Sequence, residues 1–111
     1  MTNRYEQQMK KGVLDMLILK LLTQEEKYGY QLIQELKEKS DGRITLKEGT
    51  LYPALYRLEE EGWIQSHWSV ANDKEVSKKY YKITPEGKAA LNEILSIWQD
   101  FSYCVEQIME G

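Results

Sequence analysis

One cysteine, one histidine, one phenylalanine and two prolines are all that 111 residues hold of those types. A lone Cys104 rules out an internal disulfide and fits a reducing cytoplasm, where the chain is expected to work. Zinc sites need three or four closely spaced ligands, and His67 with Cys104 falls short, so no metal is expected. Neither a glycine-rich phosphate loop nor a serine nucleophile elbow occurs. The chain therefore reads as no enzyme and as needing no cofactor. His67, on the polar side of an alternating run, reads as a surface residue, and Cys104 as a small packed hydrophobe. The longest apolar stretch, Val13 to Leu22, is broken by Asp15 and Lys20, and no small-residue cleavage site follows it. It is too short and too charged to span a bilayer, so neither a membrane partner nor a signal segment is expected. Disorder is excluded as well, because 41% of the residues are hydrophobic and a chain of this length buries roughly two-thirds of its unfolded surface in one core.

Net charge is −3, the wrong sign for a polyanion binder until the charges are placed along the chain. Residues 89–111 hold no Lys or Arg but carry Glu93, Asp100, Glu106 and Glu110. The other 88 residues set fifteen Lys and Arg against fourteen acids, a net of +1. Across residues 42–57, Arg43, Lys47 and Arg57 meet only Glu48, and Lys78, Lys79 and Lys82 stand free of acids between Val76 and Thr84. These are two candidate footprints for a nucleic acid, attached to an acidic tail.

Hydrophobic periodicity predicts a first helix from Met9 to Leu22, apolar on more than one face, and a polar connection from Thr23 to Lys27. A second helix turns Leu32, Ile33 and Leu36 inward and stops at Ser40-Asp41-Gly42. The third, near Glu48 to Glu61, aligns Leu51, Ala54, Leu55 and Leu58, with Gly62 placed to end it. Pro53 belongs in its first turns. Trp63 to Val70 and Val76 to Thr84 alternate as strands around the polar loop 71–75, a two-stranded hairpin. Thr84-Pro85 then caps a last helix, with Gly87 where a full capping box has Glu. The order predicts a mainly α fold with a small β-hairpin: a winged helix-turn-helix DNA-binding domain over residues 1–84 and one long C-terminal dimerisation helix over 85–111.

Opposite its leucines, the third helix presents Gly49, Thr50, Tyr52, Pro53, Tyr56 and Arg57, without an acid. Glu59, Glu60 and Glu61 lie at the far end, where they repel phosphate, so its N-terminal half is the part that suits a major groove. Lys78-Lys79-Tyr80 repeats the pairing of cation and aromatic on the wing. Packing of Tyr52 and Tyr56 on neighbouring helices, and a solubilising role for the lysines, are the structural alternatives.

In the last helix Leu91, Trp98 and Val105 recur every seven residues, interleaved with Ile94, Phe101 and Ile108. One winged-helix body cannot cover that stripe along its length. A two-fold homodimer covers it, with each last helix against its mate's first helix, whose surplus apolar surface also needs a partner.

The run Gly49-Thr50-Leu51-Tyr52-Pro53-Ala54-Leu55-Tyr56-Arg57-Leu58-Glu59, then Gly62-Trp63-Ile64, with Tyr28-Gly29-Tyr30 before it and Lys79-Tyr80-Tyr81-Lys82-Ile83-Thr84 and Gly87 after it, resembles the PadR family of bacterial transcriptional regulators. The likeness runs over nearly the whole chain and extends to a short-tailed branch that includes a multidrug-sensing repressor. At Val76-Ser77-Lys78-Lys79 the sequence departs from the arginine cluster that members often carry. The resemblance implies a homodimeric repressor on a pseudo-palindromic site in double-stranded DNA. Thr50, Tyr52, Tyr56 and Arg57 are the expected readers or phosphate contacts, Lys47, Tyr28 and Tyr30 touch the flanking backbone, and Lys78 and Lys79 the adjacent groove. It also implies a ligand site for planar aromatic small molecules at Trp98, with Phe101 and Asp100 beside it; interface packing by Trp98 is the alternative. Two further readings stay open on the residues alone: a winged-helix module that grips another protein and never binds DNA, and a small-molecule scaffold without regulation.

Overall fold

The computed structural model describes residues 4–69 and 76–111. Their order is α1 (Arg4–Leu22), β1 (Lys27–Tyr28), α2 (Gly29–Lys39), α3 (Glu48–Glu60), β2 (Ile64–Trp68), β3 (Lys79–Ile83) and α4 (Pro85–Glu110). This is the expected winged-helix order, mostly helical with a small antiparallel sheet. Val70 and the polar loop expected over 71–75 lie outside the described residues.

Two expectations change. α1 begins at Arg4, not Met9, because its first turns are polar and exposed and draw no apolar stripe. The hairpin is joined by a third strand: β1 forms inside the expected connection and pairs with β3, giving the order β1-β3-β2. Lys27 lies opposite Tyr81 and Tyr28 opposite Tyr80. A two-residue strand shows no alternation, which needs at least four residues to register. What holds it is tertiary: Lys27 is buried, its Nζ 2.9 Å from Glu35 of α2 and 3.5 Å from Glu25.

The core gathers Ile18, Leu19 and Leu22 of α1, Leu32 of α2, Leu51, Leu55 and Leu58 of α3, and Ile64 and Tyr81 of the sheet. α3 ends where Gly62 takes a left-handed φ of 79° and donates its N–H to Glu59 O at 3.0 Å. The chain turns there directly into β2.

α4 starts on that same corner. Thr84 Oγ1 accepts from the Gly87 N–H at 3.0 Å and donates to Gly62 O at 2.7 Å, while the Thr84 N–H donates to Trp63 O at 3.0 Å. Ala90 and Leu91 are buried and Ile94 packs on the core, but beyond them the helix leaves the body. The radius of gyration, 15.8 Å, exceeds the roughly 13 Å of a compact chain this long, and the difference is that projecting helix.

Candidate nucleic-acid interface

β3 opposes β2 with Ile83 against Ile64, Tyr81 against Ser66 and Lys79 against Trp68. Directly opposed residues share a face, and this face meets α3. Ser66 Oγ donates to Glu59 Oε2 at 2.6 Å, and the Lys79 ammonium lies 5.6 Å from the Tyr56 ring centre and 5.7 Å from that of Tyr81. Lys79 thus bridges wing and helix, half-buried, beside an exposed Tyr56. Burial, followed by the neighbouring Tyr52, Glu59 and Tyr56, pushes the Tyr81 hydroxyl up to about 12, so it stays a neutral core group.

The helix that carries the expected readers leaves most of them exposed, Tyr52 excepted. Lys47 precedes the first turn, and Gly49, Thr50, Pro53, Tyr56 and Arg57 are all exposed. Pro53 lies inside the helix and cannot donate to the carbonyl four residues back, which belongs to the exposed Gly49. Tyr52 is half-buried and packs across Gly29 at the start of α2; a Cβ there would stand 2.8 Å from Tyr52 Cζ. Arg57 reaches sideways to α1, with Nη2 2.6 Å from Asp15 Oδ1, so that an acid of another helix borders the exposed face of α3.

The two wing lysines are not neighbours in space. Lys78 sits on the other side of the sheet, its ammonium 4.6 Å from the centre of the Tyr28 ring. Tyr28 packs edge-on against Tyr80 at 5.4 Å, and His67 stacks on Tyr80 at 5.9 Å while its Nε2 lies 3.0 Å from Glu26 Oε1. Tyr30 is exposed on α2, its hydroxyl accepting from Gln34 Nε2 at 3.0 Å. The structure therefore brings Tyr56 and Lys79 together, leaves Thr50 exposed on the same helix with Arg57 turned to Asp15 of α1, and groups Tyr28 and Lys78 on another side of the sheet. Alternation already separates consecutive residues such as Lys78 and Lys79; their ring partners and the Asp15 contact come from residues far away in sequence.

Along α4, Trp98, Phe101, Val105 and Ile108 are exposed, joined by Leu95, Ile97 and Met109, whereas Leu91 is spent on the chain's own core. Asp100 and Cys104 are exposed there too. Tyr5 and Met9 of α1 add exposed apolar surface. Among the described residues no cluster of His, Cys, Asp or Glu is placed to hold a metal, and no helix is long and apolar enough to cross a membrane.

Comparison with known proteins bears on this surface. A family model described as the transcriptional regulator PadR-like family matches residues 18–93. An uncharacterized protein of Lysinibacillus sphaericus is 35% identical over 101 residues, 91% of this chain and 92% of the other. The negative transcriptional regulator PadR of Bacillus subtilis is 34% identical over 83 residues; the match takes in 75% of this chain and 45% of that longer protein. The crystal structure of a PadR-like transcriptional regulator from Bacillus cereus superposes with a TM-score of 0.79 at 36% identity, covering 94% of this chain and 98% of its own.

Proposed function

The chain belongs to the PadR-like family of transcriptional regulators, and from that premise we propose that it is a repressor that grips a pseudo-palindromic operator as a homodimer. Membership makes it a DNA-binding regulator and not an enzyme. The observation that carries the finer reading is the contact of Lys79 of the wing with Tyr56 of α3, beside an exposed helix face that also carries Thr50 and Arg57 and is acid-free in sequence from Gly49 to Arg57. In this reading residues 1–84 hold the DNA and residues 85–111 the partner. The half-turn of α3 beginning at Thr50 enters the major groove, and Lys79 reaches an adjoining phosphate. Repression is supported by the Bacillus subtilis relative, which is a negative regulator. The dimer is supported by the bare stripe from Trp98 to Ile108 and by exposed Tyr5 and Met9. Release by a planar aromatic ligand at Trp98, flanked by Phe101 and Asp100, completes the proposal, because exposed Trp98 offers a large π surface beside acidic groups.

Two-fold symmetry sets the half-sites about one helical turn, ~34 Å, apart, or a multiple of that. A gel-shift titration across a salt series on the DNA upstream of the protein's own gene tests the contacts. Affinity is expected to fall steeply with salt, and Lys79→Ala to lower the slope of log K against log salt by about one. Arg57→Ala is expected to weaken binding further, since it leaves Asp15 unpaired at the reading face. Unchanged affinity and slope in both variants would refute this set of contacts.

A further inference from the structure

We infer that Trp68 is a DNA contact in its own right, an apolar plate at the last residue of β2 that lies flat on the deoxyribose wall of the groove beside α3. The inference rests on the operator reading above and adds a residue to it. β2 is an edge strand, and Trp68 is its last residue. It shares a face with Ile64 and Ser66, the face turned to α3. The helix covers the first two of these and not the third: Ile64 is 1% exposed, while Trp68 is 64% exposed. Among the described residues Trp68 joins none of the ring-on-ring or cation-on-ring pairs that occupy Tyr28, Tyr56, His67 and Tyr80 around it. A large indole therefore stands mostly exposed on the α3 side of the sheet, without a ring or cation partner among the described residues.

Its surroundings select the occupant. Directly opposite is Lys79, held over Tyr56 of the reading helix, and the strand is free of acids from Val76 to Thr84. A surface that pairs an apolar plate with a cation fits a nucleic-acid backbone, where apolar sugars alternate with anionic phosphates. Groove edges also display acceptors for the indole N–H. Lys79 takes the phosphate and Trp68 the neighbouring sugar, so the two residues contribute differently: one releases counterions and the other only removes apolar surface from water.

That difference makes the inference testable with the full chain and the duplex from upstream of its own gene. Trp68→Ala is expected to weaken binding about tenfold at every salt concentration and to leave the salt slope at the wild-type value, with Trp68→Phe recovering most of the loss. Because the side chain is exposed, both variants are expected to melt at the wild-type temperature. Wild-type protein that binds while Trp68→Ala binds as tightly overturns the role of Trp68 alone. A slope in Trp68→Ala that drops by about one, as in Lys79→Ala, also overturns it, since Trp68 would then act only by positioning the lysine. Wild-type protein that fails to bind the duplex overturns the operator reading and this inference together.

Discussion

Gly87 has no room for a side chain. An added Cβ would stand 2.9 Å from the Trp63 carbonyl carbon and 2.8 Å from Ile83 Cγ1, with the Trp63 carbonyl oxygen closer still. Two of those three atoms belong to backbone that cannot swing aside. Gly87→Ala is expected to cost about 2–3 kcal/mol in thermal unfolding, as overpacked cores do. Gly29→Ala should cost less, because the side chain it meets, Tyr52, sits at the surface of the core and can rotate outward. The same contact explains the cap. Gly87 stands where a capping box has Glu because the first turn of α4 presses against the corner of α3 and β2, a constraint that helix statistics do not contain. Tyr81 gives a second prediction. Its hydroxyl ionises near 12 in the folded protein against 10 in an unfolded chain. Its stabilising effect is complete below pH 10 and is lost as pH rises toward 12. Alkaline unfolding followed by circular dichroism should show a loss of stability in that window, and Tyr81→Phe should reduce it.

α4 serves two masters along its length, and substitutions should separate them. Leu91, 7% exposed, belongs to the body, so Leu91→Ala is expected to lower stability by about 2–4 kcal/mol. Phe101, 65% exposed, touches no such core. Phe101→Glu is expected to shift sedimentation from about twice 13.1 kDa to one chain while each monomer stays folded. A dimer that survives Phe101→Glu would place the interface elsewhere. The heptad pattern shows the stripe but not where its use changes from one role to the other, because Leu91 and Ile94 have the same spacing as Trp98 and Phe101. The wing strands were legible from alternation, and α3 from its leucines, since both patterns run over enough residues to repeat. β1 was not, because it exists only through its partners on β3 and its buried ion pair. Trp68 lay in plain view beside Ile64 and Ser66; its exposure depends on where α3 ends above the sheet, and periodicity says nothing about that.

Charge is segregated across the fold in a way that the overall −3 conceals. Residues 89–110 of α4 carry four acids and no Lys or Arg, and the proposed reading surface carries Lys47, Arg57 and Lys79. α4 also meets the wing without a flexible joint. Thr84 is tied to Gly62 and Trp63, and the next residue, Pro85, is already helical. With 26 residues the helix is about 39 Å long. In the proposed dimer it is a rigid lever with its short arm clamped to the wing. A change of about 5° in the angle between two such levers displaces their far ends by roughly 3 Å, comparable to one base-pair step. Half-site spacing would then be read as a protractor reads an angle, and a ligand that wedges the helices apart would change the spacing without touching DNA. Inserting Gly-Gly after Thr84 puts a universal joint into the lever. Sedimentation should still report a dimer, while affinity for the operator falls and its dependence on half-site spacing broadens.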